Sequence, residues 1–218
     1  MRTGFLAAAG AALFLCGAAA GAGAQVPTPA GVAPTKGKPA PGFALADGEG
    51  KNRTLSEFRG RPVALFFFCG CSWCADVGKE WAQMQRGGAL ATPSPSKGKT
   101  PITLVVNSGM DAVATRSLTA AYGLDPKQTV LLPEPDMTVT ETLYQADPCP
   151  RVFIVDGGGI VRYTNDGPED GPRKGPALII VSRALDALRS AAAPAAPANS
   201  KTAPSKSRPK TQRKQTIR

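Results

Sequence analysis

Val63–Phe68 is an unbroken apolar run, Val-Ala-Leu-Phe-Phe-Phe, closed off by Cys69-Gly70. A continuous apolar stretch of that length predicts a strand covered on both faces, and hence the centre of a sheet. From Ser72 the period changes, and Trp73, Val77, Trp81 and Met84 recur at helical spacing until Gly87-Gly88. That stripe predicts a helix lying on the sheet. Residues 102–106 repeat the buried-strand signature and residues 111–122 the helical one, with Asp111 suited to the cap and Gly123 to the stop. A strand-helix-strand-helix order joined by right-handed crossovers gives parallel strands.

Weaker signals frame this unit. Residues 43–45 predict a short edge strand, 48–51 a turn, 54–58 a short helical turn ending at Gly60, and 130–132 a further edge strand. Residues 151–156 and 160–164 flank Gly157-Gly158-Gly159, which predicts a hairpin. Residues 177–190 read as a closing helix with Leu178, Val181, Leu185 and Leu188 turned inward. The fold class is α/β, a central mixed β-sheet flanked by helices.

Composition divides the 218 residues into four parts. Residues 1–24 carry Arg2, an Ala, Leu, Phe and Gly run and then Ala22-Gly23-Ala24, the pattern of a secretory signal peptide with its cleavage site. A membrane anchor is the second choice, since the run is weakly hydrophobic for a span. Lipidation at Cys16 is disfavoured by the bulky Leu13-Phe14-Leu15 before it. Residues 25–38 read as a Pro-rich linker, 39–190 as one domain, and 191–218, which contain no acid and no aromatic residue, as a disordered basic tail. Most of the formal net charge of +10 belongs to that tail. It is expected to be solvated or to touch anionic envelope surfaces, with no specific nucleic acid as partner.

The candidate chemistry is thiol chemistry. Beyond the signal stand Cys69, Cys71, Cys74 and Cys149, and the chain contains no histidine. Ser-His and Cys-His catalysis, mixed Cys/His zinc sites and histidine-bound copper are thereby excluded. Cys71 falls where a buried strand gives way to a helix, a position against unpaired backbone N–H groups that favours the thiolate. Cys74, one turn on, is placed to close a disulfide with it. An inert structural bridge or half a metal site is the plainer reading of a Cys-x-x-Cys pair.

Several segments together resemble a known family. Residues 37–45 (Gly-Lys-Pro-Ala-Pro-Gly-Phe-Ala-Leu), residues 55–63 ahead of the central strand, residues 67–74, and Cys149-Pro150 leading into residues 151–159 are similar to thioredoxin-fold redoxins, in particular exported TlpA-type thiol-disulfide oxidoreductases, related to the peroxiredoxin-like AhpC/TSA branch. The resemblance covers about residues 39–190. It implies a thioredoxin-like fold with an N-terminal redoxin extension, Cys71 as the attacking thiolate, Cys74 as the resolving thiol, and Pro150 as a cis proline presenting substrate backbone. It implies no cofactor beyond the redox-active cysteine pair, no metal, and as partners protein thiols or disulfides of the cell envelope with an electron donor or acceptor. Trp73 is placed either to contact substrate or to pack as a rim aromatic.

The chain departs from this pattern in three ways. The dipeptide between the cysteines is Ser72-Trp73, without proline; the central strand carries no acid; and Cys69 and Cys149 are additional. These accessory thiols are open to three readings: a relay exchanging with the Cys71-Cys74 disulfide, a four-thiolate zinc or copper(I) site, or small buried residues and a static second bridge. Alternatives to the oxidoreductase are a peroxiredoxin-like thiol peroxidase or antioxidant protein, a non-catalytic thiolate metal carrier, and a redox-dead binding domain.

Overall fold

In the computed structural model, residues 32–90, 100–165 and 176–192 are described. The expected signal peptide, most of the linker, the loop at 91–99 and the basic tail beyond 192 lie outside them. The elements run β1 (Ala44–Ala46), β2 (Asn52–Thr54), a 3-10 turn (Leu55–Phe58), β3 (Val63–Phe68), α1 (Ser72–Arg86), β4 (Ile102–Ser108), α2 (Ala112–Tyr122), β5 (Thr129–Glu134), a π turn (Val139–Leu143), β6 (Arg151–Val155), β7 (Val161–Thr164) and α3 (Ala177–Ala192). Five strands form one mixed sheet in the order β5-β4-β3-β6-β7. β3 is its centre, parallel to β4 and antiparallel to β6.

Handedness decides which face the helices take. The chain steps outward from β3 to β4 to β5 in one direction, so two right-handed crossovers put α1 and α2 on the same face. There Ala64, Phe66 and Phe68 meet Val77 and Trp81 of α1, Tyr122 at the end of α2, and Val181 and Leu185 of α3. The opposite face has no long helix among the described residues. Val63, Leu65 and Phe67 are covered instead by Phe43, Leu55 and Phe58 from the N-terminal segment and by Val139 and Tyr144 around the π turn. Every side chain of β3 is thus buried, each large apolar one contributing roughly 1.5–3 kcal/mol.

Local signals account for the ends. The Asp111 carboxylate accepts from the Val113 and Ala114 amides at 2.9 and 2.8 Å, and Gly123 takes the left-handed conformation that stops α2. Glu57 reaches back to the Thr54 amide at 2.7 Å and fixes the 3-10 turn.

Two expectations are corrected, those for Leu178 and Trp73, and two elements, β2 and the π turn, are added. The turn at 48–51 joins two strands rather than following one, because Asn52–Thr54 pairs antiparallel with Ala44–Ala46. In α3, Leu178 is 59% exposed and the inner face is Ile180, Val181, Ala184, Leu185 and Leu188. In α1 the inward stripe begins at Val77, since Trp73 is 45% exposed. The π turn replaces what the sequence leaves unassigned between β5 and β6. Residues 37–40 also belong to the packed body: the Gly37 amide donates to the Val161 carbonyl at 2.8 Å, and Pro39 bridges Ile160 along β7.

Candidate functional site

The site is made where β3 ends. Gly70 adopts φ +83°, in the left-handed region that favours glycine, and a Cβ there would come within 2.8 Å of Met110 Cε. This reversal brings the chain from Cys69 into Cys71, which stands as the N-cap of α1 in extended conformation. Cys71 is half-buried, and Cys74 is wholly buried beneath the first turn. Their sulfurs lie 3.5 Å apart as free thiols. Burial pushes the Cys74 thiol up to about 12, so it is protonated at neutral pH. The Cys69 amide donates to Cys74 Sγ at 3.4 Å and partly opposes that effect.

Strand register brings in the distant part of the chain. β3 and β6 run antiparallel with Phe66 opposite Val152 and Phe67 opposite Arg151. Continued two residues past the ladder, the same register sets Cys69 opposite Cys149, and the two are joined in a disulfide across 80 residues of sequence. The Cys149-Pro150 peptide bond is cis, as is Asp147-Pro148. Cys69 and Cys149 therefore form a covalent pair, as both the relay and the static-bridge readings of the sequence require. Yet the pair is not remote: Cys69 Sγ is 3.9 Å from Cys74 Sγ, and all four sulfurs fall within 4.8 Å of one another. With both pairs reduced, the cluster is a four-thiolate donor set suited by softness to zinc or copper(I).

Sequence reasoning missed three residues here. Asn165 holds the strand after the cis proline: its amide nitrogen donates to the Pro150 carbonyl at 3.0 Å and its oxygen accepts from the Val152 amide at 2.9 Å. A lone Asn after a predicted strand carries no signal for this. Tyr122 stacks edge-on against Phe68 at 5.7 Å and fits over Gly78, where a Cβ would meet its ring at 2.5 Å. Its phenol is held above its ordinary range, first by burial and then by the Cys74 and Cys71 sulfurs. Glu134, at the end of β5, is the third. It accepts from the Val139 and Thr140 amides and the Thr140 hydroxyl, and burial raises its carboxyl. These donors all belong to the π turn, so Glu134 anchors that turn.

Trp73 stands exposed in the first turn of α1, beside the cysteine pair rather than in the core. An exposed indole next to a half-buried sulfur is a surface on which an incoming chain can lie. No helix among the described residues is long and apolar enough to cross a membrane.

Known proteins share this fold. Over 144 residues the chain is 27% identical to peroxiredoxin Q, chloroplastic, of Suaeda salsa, and it spans 60% of the length of that curated relative and the match takes 60% of its own. Among solved structures, a protein assigned as the thiol:disulfide interchange protein DsbE from Chlorobium tepidum superposes with a TM-score of 0.54 at 24% identity, covering 72% of this chain and 99% of that one. Peroxidoxin BcpB from Mycobacterium tuberculosis gives a TM-score of 0.56 at 16% identity, covering 72% and 97%. Both likenesses establish the thioredoxin-like fold. The AhpC/TSA family model matches residues 36–164, more than half of the sequence, and the chain belongs to that family of thioredoxin-fold redoxins.

Proposed function

We propose that this protein is an exported thiol-disulfide oxidoreductase that exchanges disulfides with protein substrates through Cys71 and Cys74. The observation that carries the reading is the asymmetry of the pair: Cys71 accessible at the N-terminus of α1, Cys74 buried 3.5 Å behind it. The Cys71 thiolate attacks a substrate disulfide and releases one substrate thiolate, leaving a mixed disulfide. Cys74 then attacks Cys71 Sγ, closes the Cys71-Cys74 bridge and releases the second substrate thiol. The reverse sequence oxidises a substrate dithiol. Cys74 must lose its proton in the second step. Among the described residues no carboxylate hydrogen-bonds it, so the departing substrate thiolate is the base in reach.

Pro150, directly after Cys149 of the bridge and so next to the sulfurs, supports a role in presenting substrate backbone, and exposed Trp73 supports a role in covering it. Export is supported by residues 1–24 and by a disulfide, Cys69–Cys149, of the kind that persists outside the cytosol. The substrates are accordingly envelope proteins bearing disulfides or paired thiols. The test is reduction of insulin disulfides with a dithiol donor. Wild type accelerates it and Cys71→Ser abolishes the acceleration; an unchanged rate in Cys71→Ser overturns the proposal.

Membership of AhpC/TSA and the similarity to peroxiredoxin Q favour a second reading, a thiol peroxidase. The residues ahead of Cys71 are Phe68-Cys69-Gly70, without the Pro and Thr or Ser that precede a peroxidatic cysteine. Thiol-dependent consumption of hydrogen peroxide by the purified protein decides it, and no consumption removes it.

A further inference from the structure

We infer that the Cys69–Cys149 bridge is a second redox couple that exchanges internally with Cys71 and Cys74, so that the working unit is a four-sulfur relay. The inference deepens the oxidoreductase reading and rests on it for the role of Cys71. Three observations carry it. The bridge sits at the dithiol, with Cys69 Sγ 3.9 Å from Cys74 Sγ, at sulfur contact distance. The four sulfurs span no more than 4.8 Å, so the exchange needs side-chain rotation and no movement of elements. The Cys69 amide already donates to Cys74 Sγ at 3.4 Å, which favours negative charge on the sulfur that attacks. A bridge serving only to tie β3 to β6 needs none of these.

The steps balance. Cys74 Sγ attacks Cys69 Sγ, the Cys69–Cys149 bond breaks, and Cys149 leaves as a thiolate that takes up the proton Cys74 gives up. Cys71 Sγ, 3.5 Å from Cys74 Sγ, then attacks Cys74; the Cys74–Cys69 bond breaks and Cys69 leaves, receiving the proton from Cys71. Two electrons and two protons have passed from the Cys71/Cys74 dithiol to the Cys69–Cys149 disulfide. The Cys71-Cys74 pair emerges oxidised, and Cys69, which is exposed, emerges as a free thiol able to meet a partner. In reverse, reducing equivalents that enter at Cys69 are delivered to Cys71. Electrons thus have an entry on one cysteine and an exit on another, and a partner bound over Cys71 does not block the resupply.

The experiment uses the mature full chain. Oxidised protein is given one equivalent of dithiothreitol, quenched in acid at intervals, alkylated, and its bridges mapped by mass spectrometry. The expected result is that molecules with one remaining bridge divide between Cys69–Cys149 and Cys71-Cys74 forms, which interconvert at a rate independent of protein concentration. In Cys74→Ser, loss of the Cys69–Cys149 bridge to dithiothreitol slows by about tenfold or more, since the internal attack is gone. A Cys69–Cys149 bridge that stays closed whenever Cys71-Cys74 opens, or one lost at the wild-type rate in Cys74→Ser, overturns the relay. Insulin reduction, run in parallel, keeps the two readings apart. No internal exchange with turnover that depends on Cys71 removes the relay alone, whereas exchange with turnover indifferent to Cys71→Ser removes the oxidoreductase reading and leaves the exchange standing.

Discussion

The two free thiols differ in their surroundings although only Ser72 and Trp73 separate them. Cys71 caps a helix and is half-buried; Cys74 faces Phe68 and Val77 in the core, and desolvation keeps its proton on to about 12. Alkylation separates them. Iodoacetamide at pH 8, added to folded protein with this pair reduced, labels Cys71 and spares Cys74, and peptide mapping reads the ratio. Equal labelling of both contradicts the asymmetry on which the mechanism depends. Much of this was legible in the sequence, because the thiol that begins a helix and the thiol one turn inside it follow from spacing alone. What spacing withheld was the pairing of Cys69 with Cys149. It depends on the β3–β6 register, which two apolar strands of similar composition do not declare.

At the scale of elements, the strongly periodic segments were readable and the short ones were not. Val63–Phe68 and the start of α1 at Ser72 fall where the apolar run ends and the helical stripe begins. β2 escaped because Asn52-Arg53-Thr54 is three polar residues on an exposed hairpin, where apolar alternation has nothing to mark. The π turn escaped because its fixing interaction is Glu134, a buried acid several residues upstream. Asn165 is the comparable case for β6, since one side chain satisfies both the Pro150 carbonyl and the Val152 amide. Asn165→Ala leaves two buried backbone groups unpaired and is expected to cost about 2–4 kcal/mol in urea denaturation at pH 7. If Asn165 also positions Pro150, the variant raises KM for a protein substrate more than it lowers kcat. Unchanged stability in Asn165→Ala contradicts the assigned hydrogen bonds.

For the whole molecule, burying a thiol in the core makes stability depend on pH. Folding holds the Cys74 proton more tightly than the unfolded chain does, so the stabilisation is complete below the ordinary thiol range near pH 8.5 and is lost as pH rises towards about 12. The folded state cannot ionise at Cys74 without desolvating a thiolate, while the unfolded state ionises freely. At about 1.4 kcal/mol per pKa unit, the loss amounts to a few kcal/mol, a sizeable share of a small domain's stability. Tyr122 and Tyr144, both raised by burial, act in the same direction at the upper end of the window, so the total alkaline slope is not the measure of Cys74. The measure is a difference. With Cys71 and Cys74 kept reduced, urea midpoints taken from pH 7 to 11 fall for wild type and fall less steeply for Cys74→Ala. Removing the side chain also lowers the variant's stability at every pH by leaving a small cavity, which shifts its curve without tilting it. Parallel curves for the two proteins would mean that Cys74 ionises as readily folded as unfolded, and the resolving thiol would then need no partner to remove its proton.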